Sequence, residues 1–333
     1  MNKMILLCLL VGGFAVGGLQ GSGQVDSPFH WETSDCRIAL KHGEQTVWRF
    51  NADMSDASKP YFDPLCTVGG PSLTLPKPAD HPWHLAHWFS WKYINGVNYW
   101  ETDQDGRAQG ETYWEAPEWE PNRDGSARIV IELGYRLRNE TNKTLLHERR
   151  EIVISAPASD GSYRLDWTQQ FTAQEEALLD RTPIPGEENA SDWGGYAGLA
   201  IRFSNELKEV ATVTTKPDSI RNRTSGVMDI YGATAAEQNG TINGQEYGIA
   251  ILSHPATPRN NDWYIIMVDD FTYLNPATLL RGKYLLNKGA ALTLRHRVHV
   301  HKGRWNTEQL NEAAEEFAVD FKKKTSRRFF FSL

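Results

Sequence analysis

The chain has 333 residues, a formal net charge of −7 at pH 7, three cysteines, and twelve tryptophans beside twelve tyrosines. A mildly acidic chain without a basic block in its body argues against nucleic acid as a partner, and no apolar run approaches the roughly 20 residues of a membrane helix. Chains of this size bury enough surface to fold without disulfide staples, so the cysteines are optional devices.

Taken in chain order, residues 1–20 place Lys3 ahead of an apolar run from Met4 to Val16 followed by small residues, the layout of a secretory signal peptide. The expectation is a periplasmic or secreted protein. Ile5-Leu6-Leu7 ahead of Cys8 lacks the small residue of a lipidation site. Cys36 and Cys66 either pair in an oxidising compartment or stay as two thiols.

From residue 25 to 305 the pattern has period two rather than 3.6, the mark of strands with one buried and one polar face. Strands are predicted over 47–51, 127–137, 144–155, 196–203, 246–252 and 263–268. Within 162–171, Tyr163, Leu165, Trp167 and Phe171 oppose Arg164, Asp166, Thr168 and Gln170. Leu292, Leu294, Val298 and Val300 likewise oppose Thr293, Arg295, Arg297, His299 and His301. Turns are expected at Asn95-Gly96, Asp105-Gly106, Asp124-Gly125, Asp160-Gly161, Asn239-Gly240 and Asn243-Gly244. One helix is predicted over 306–324, starting at Asn306 or Thr307 with glutamate close behind. Its stripe of Leu310, Ala313, Ala314, Phe317 and Phe321 should pack on the sheets, ahead of a loose tail at 325–333. Many alternating strands without strand–helix alternation predict a single all-β domain, a large antiparallel β-sandwich with a C-terminal α-helix.

Residues 76–101, PKPADHPWHLAHWFSWKYINGVNYWE, are dense in His, Trp and Lys. Pro76, Pro78 and Pro82 forbid a regular helix, so His81, His84 and His87 need not share a face. Histidine transfers protons near neutrality, and an adjacent carboxylate fixes its tautomer. Asp80, His81 and His84 supply those parts, and Lys92 with Glu101 can add a charge clamp or a second acid/base group. A rigid structural turn is the alternative, and a metal site of His81, His84 and His87 joined by His254, Asp269 or Glu101 is a further one. Ser253-His254-Pro255 through Arg259 and Asn260 ends an apolar strand, a place where polar groups converge. Arg202, on an apolar strand, needs an anion or carboxylate partner.

The motifs Asp80-His-Pro-Trp-His84, the run from Trp88 to Glu101, Gly194-Gly-Tyr-Ala-Gly-Leu-Ala-Ile-Arg202, Val227-Met-Asp-Ile-Tyr-Gly232 and Ser253-His-Pro255 with Pro258-Arg259 resemble the PmoA-like family of exported proteins, which carries an inherited methane oxygenase label. That family continues after its second histidine with a basic residue, a glycine and an apolar residue, where this chain has Leu85, Ala86 and His87. The resemblance implies a galactose-mutarotase-like supersandwich with a sugar on a sheet face. It does not imply methane oxidation, since a membrane monooxygenase subunit would need spanning helices.

The expectation is therefore a carbohydrate-active enzyme, a hydrolase, lyase or epimerase acting on a glycan fragment without a cofactor. His81 and His84 are the expected acid/base pair, Asp80 orients, and His254 completes the site. Trp91, Lys92, Glu101, Arg202, Arg259 and Asn260 are expected to bind substrate, with Arg202 or Lys92 on an anionic group. A non-catalytic sugar-binding protein is the first alternative, a metal-dependent enzyme the second.

Overall fold

The structure, a computed structural model, describes residues 27–223, 226–259 and 261–330, with helix side chains through residue 320. The expected signal peptide and Asn260 lie outside the described residues.

Two large antiparallel sheets carry the fold. The ten-stranded sheet has at its centre the strands His87–Ser90, Gly198–Arg202, Phe271–Pro276, Asp262–Val268 and Val227–Tyr231, in that spatial order. The nine-stranded sheet runs through Ala235–Ile242, Gln245–Ser253, Ala291–Lys302, Tyr163–Ala173, Thr144–Ile154 and Ala127–Leu137. A small four-stranded sheet joins Tyr284–Leu286, Ala177–Asp180, Tyr93–Ile94 and Val97–Asn98. The period-two segments form the strands expected of them, because alternate residues meet opposite faces.

The inner faces of the two large sheets meet in one apolar core, where Phe62 packs on Trp167 at 5.8 Å and Phe89 on Phe171 at 5.4 Å. Tyr163, Leu165, Trp167 and Phe171 all point into it, with Leu292, Leu294, Val298 and Val300. Glu148 and Arg150 are also buried there, joined at 2.7 and 3.1 Å, and Glu148 accepts further from Tyr135 and Gln169.

The outer face of the ten-stranded sheet is apolar as well. Strand register lines up Arg202, Tyr273, Ile266 and Val227 across four strands, and Trp88 opposite Ala200 on the same face. These side chains build a second apolar cluster outside the sandwich core. A sheet buried on both faces needs a cover, and the 76–101 segment supplies part of it.

The helix spans Thr307–Phe330 and runs past the expected end at Lys324, since neither Pro nor Gly occurs there to stop it. Asn306 caps it, accepting from the Gln309 N–H at 2.9 Å while Gln309 Oε1 accepts from the Asn306 N–H at 3.0 Å. The reciprocal partner is a glutamine, and the glutamate expected close behind the start is Glu308 in the first turn. Leu310 and Phe317 press on the nine-stranded sheet, as the stripe predicted.

One expected turn is not a turn. Asn239-Gly240 sits inside the strand Ala235–Ile242, where a Cβ on Gly240 would come within 2.6 Å of the Lys208 carbonyl. The glycine serves close approach of a neighbouring strand rather than chain reversal. Asn95-Gly96 and Asn243-Gly244 do reverse the chain, with both residues of each pair at positive φ. Cys36 and Cys66 are both free thiols. No helix among the described residues is long and apolar enough to cross a membrane.

Candidate functional site

The loop ahead of the His87–Ser90 strand folds into two successive turns. The His81 N–H donates to the Pro78 carbonyl at 3.0 Å and the His84 N–H to the His81 carbonyl at 2.9 Å, while the Lys77 N–H closes the loop on the His84 carbonyl at 2.7 Å. The prolines exclude a helix, yet the paired turns still set His81 and His84 side by side, their rings stacked at 4.7 Å. His87 is directed elsewhere. It begins the strand on the inner-face row with Phe62 and Ile201, where its Nδ1 lies 3.0 Å from the Ala200 carbonyl. Burial pushes it down to about 4, and it is a core histidine. Ala86 between them has φ 66, a left-handed conformation uncommon for a residue with a Cβ. Leu85, in place of a basic residue, is buried in the outer-face cluster.

Asp80 Oδ2 lies 2.8 Å from His81 Nδ1 and 3.3 Å from Arg202 Nη2. Arg202 also donates to the Asp270 carbonyl at 2.7 Å, and its guanidinium lies 3.8 Å from the centre of the Phe271 ring. The carboxylate partner expected for Arg202 is therefore Asp80. Burial would raise the Asp80 pKa, but the His81 hydrogen bond and the Arg202 charge outweigh it and hold the carboxyl below its ordinary value. Burial, then the nearby His81, Arg202 and Lys59, keep His84 well below 6.5, so its ring is neutral at pH 7.

The Asn95-Gly96 reversal brings Lys92 onto Glu101, and the two form a close ion pair. Glu101 also accepts from Asn98 and from the Tyr196 hydroxyl, each at 2.6 Å. Burial works against its charge, yet Lys92 and these donors lower its pKa, leaving an ionised carboxylate. Behind it, the Lys59 ammonium donates to the Trp100 carbonyl at 2.6 Å, and burial lowers that amine to about 7.

These groups border one cavity of about 360 Å3 on the outer face of the ten-stranded sheet. Its aromatic wall is Trp83, Trp193, Tyr196, Tyr264, Phe271 and Tyr273; its titratable lining is His81, His84 and Glu101, besides the three tyrosines. Trp193 is 40% exposed and stands parallel to Phe271. The Tyr264 hydroxyl donates to the Trp193 carbonyl at 3.0 Å, tying that loop to the sheet. Strand alternation places Tyr264 with Ile266, and Phe271 with Tyr273, on the cavity side.

Of the residues expected in the site, His81, His84 and Glu101 line this cavity, while Asp80, Arg202 and Lys92 stand directly behind them. Trp91, Arg259 and His254 are elsewhere. Trp91 is fully buried between the sheets against Phe89 and Phe171. Arg259 donates to the Gly282 carbonyl at 2.7 Å and covers Tyr284. His254 accepts the Ala256 N–H at 3.0 Å and lies edge-on to Phe317 of the helix, a turn-capping role on the other sheet. The wall residues Trp193, Tyr196, Tyr264, Phe271 and Tyr273 were not singled out from sequence. Tyr264 lies on the strand expected at 263–268 and Tyr196 at the start of the one expected at 196–203, whereas the strand Phe271–Pro276, which carries Phe271 and Tyr273, was not among those expected. Among the described residues, no group of three or more His, Cys, Asp or Glu is placed to hold a metal ion.

The sequence matches DUF6807, a family of unknown function, over residues 37–315. The chain belongs to that family. No curated protein matches it. Among solved structures, a GH36 α-galactosidase from Geobacillus stearothermophilus in complex with raffinose is similar at 11% identity and a TM-score of 0.41. That match covers 83% of this chain and 41% of the galactosidase, so the chain spans about two fifths of that protein's length. A galactose mutarotase related enzyme from Lactobacillus acidophilus is similar at 9% identity and a TM-score of 0.37, over 82% of this chain and 97% of that one. The DUF6807 match brings no activity with it, and the PmoA-like label rests on the motif resemblance alone.

Proposed function

We propose that this protein is an exported carbohydrate-active enzyme that moves protons on a sugar bound in the outer-face cavity. The observation that carries the reading is a small-molecule-sized cavity walled by six aromatic rings that also holds an Asp80-anchored histidine and an ionised glutamate. Aromatic faces stack on the apolar faces of sugar rings. Asp80 accepting from His81 Nδ1 leaves Nε2 for proton transfer. Glu101 takes a proton in the complementary step, and neutral His84 holds a sugar hydroxyl between them.

The lining contains one carboxylate, Glu101. Glycoside hydrolysis generally uses two carboxylates flanking the bond, so a single glutamate with histidine partners favours epimerisation-type proton transfer. The test is incubation of the full mature chain with mixed oligosaccharides in D2O, read by mass spectrometry and NMR. Product or carbon-bound deuterium supports the enzyme. Saturable binding without either supports the sugar-binding alternative, which the exposed Trp193 face favours. Absence of both sinks the carbohydrate reading.

A further inference from the structure

Besides Arg223, which is paired with Asp229 behind Tyr264, three basic groups lie within the shell of this cavity, and each is already committed. Lys92 is paired with Glu101. Lys59 donates to the Trp100 carbonyl and is 1% exposed. Arg202 is held by Asp80 and the Asp270 carbonyl, and its remaining nitrogens, Nε and Nη1, are buried without a hydrogen-bond partner on a guanidinium that the Phe271 ring covers. None of the three lines the cavity, whereas the ionised Glu101 does.

A carboxylated or sulfated sugar entering here would meet the ionised Glu101 and, as the one lining group able to carry positive charge, a His81 already held by Asp80. Desolvating an anion without a partner is unfavourable, and placing it against a like charge adds to that. We infer that the cavity takes an uncharged sugar ring, an inference that rests on the carbohydrate reading above. The consequence reaches the reaction class. Elimination from a uronate removes the proton beside its carboxylate, and the developing charge requires a cation on that carboxylate. The one lining group able to carry positive charge, His81, is held by Asp80, which favours epimerisation of a neutral sugar over elimination.

The test uses matched pairs on the full mature chain: neutral oligosaccharides, and their counterparts oxidised to the uronate at the same ring, titrated by calorimetry and by tryptophan fluorescence. A binding neutral sugar is expected to exceed its uronate by at least about tenfold. Glu101→Gln, which leaves the Lys92 ammonium unbalanced, is expected to narrow or reverse that ratio. Equal or tighter binding of the uronate overturns the inference while leaving the carbohydrate reading in place, and loss of that binding in Arg202→Gln would show Arg202 to be the anion site. If no member of any pair binds, the carbohydrate reading fails and takes this inference with it.

Discussion

Asp80 on the loop and Arg202 on the strand, 122 residues apart, share one contact: Arg202 Nη2 donates to the same Oδ2 that lies against His81 Nδ1. A buried arginine thus fixes a half-exposed carboxylate, which in turn fixes a histidine at the cavity. Asp80→Asn keeps the shape and removes the charge. Turnover should fall about 10–100-fold, with a stability change under about 1 kcal/mol because the Asp80 side chain is 48% exposed. Arg202→Gln should produce the same kinetic loss together with a larger drop in urea midpoint. Unchanged turnover in both variants would remove the positioning role.

His84 and His87 are three residues apart and face opposite sides of the sheet. His84→Ala should lower sugar turnover by about 10–100-fold with a smaller loss of stability from its packing on Trp88 and Tyr273. His87→Ala should cost about 2–3 kcal/mol of stability through the space it leaves between Phe62 and Trp167, with KM unchanged. Denaturation curves and steady-state kinetics on both variants separate the two roles, and reversed outcomes would contradict the placement.

Trp193 and Trp91 form a second contrasting pair. Trp193→Ala removes an exposed face of the cavity wall and should weaken sugar binding by about tenfold, the scale of a lost aromatic contact, with little change in Tm. Trp91→Ala opens the core and should cost about 3–5 kcal/mol. Calorimetric titration beside thermal melting would show whether the two effects divide in this way.

Stability should fall on acidification. Burial lowers His87 and His301 to about 4, and His296 and His299 to about 3, from 6.5. The unfolded chain binds those protons first, so the stability these groups contribute is present above pH 6.5 and lost as pH falls towards the folded values, at about 1.4 kcal/mol per pH unit for each. Glu237 and Asp63, raised by burial to about 7 and about 6, act in the opposite direction: their contribution is present below 4.5 and 3.8 and is lost as pH rises through the raised values. With these four histidines and the similarly lowered His84 against two carboxylates, the urea midpoint should drop between pH 6.5 and 5. A flat profile over that window would refute the neutral buried histidines.

The fold was legible because period-two alternation is a local property: each strand must present one face to the core, and residues such as Tyr163, Leu165 and Trp167 declare that face by chemistry alone. Asn239-Gly240 was misread for the same reason. A dipeptide cannot show that the Lys208 backbone lies against it. The helix end was misjudged where no stop residue exists to mark it.

For the site, chain order alone supplied the neighbours Asp80, His81 and His84, and the turn that sets Lys92 beside Glu101. These pairings are short-range, so spacing and turn chemistry determine them. Everything else was decided by register. Whether His87 or Trp88 lies on the outer face of the sheet depends on the register with Gly198–Arg202, and a shift of one residue would exchange them. Pairing of Gly198–Arg202, Phe271–Pro276 and Asp262–Val268 carries Arg202 to Asp80 and gathers Tyr264, Phe271 and Tyr273 into one wall, while the other large sheet leaves His254 against the helix. Such contacts join residues tens to hundreds of positions apart. They exist only after the sheets have formed, which is why composition and spacing located the reactive loop but not the cavity it closes.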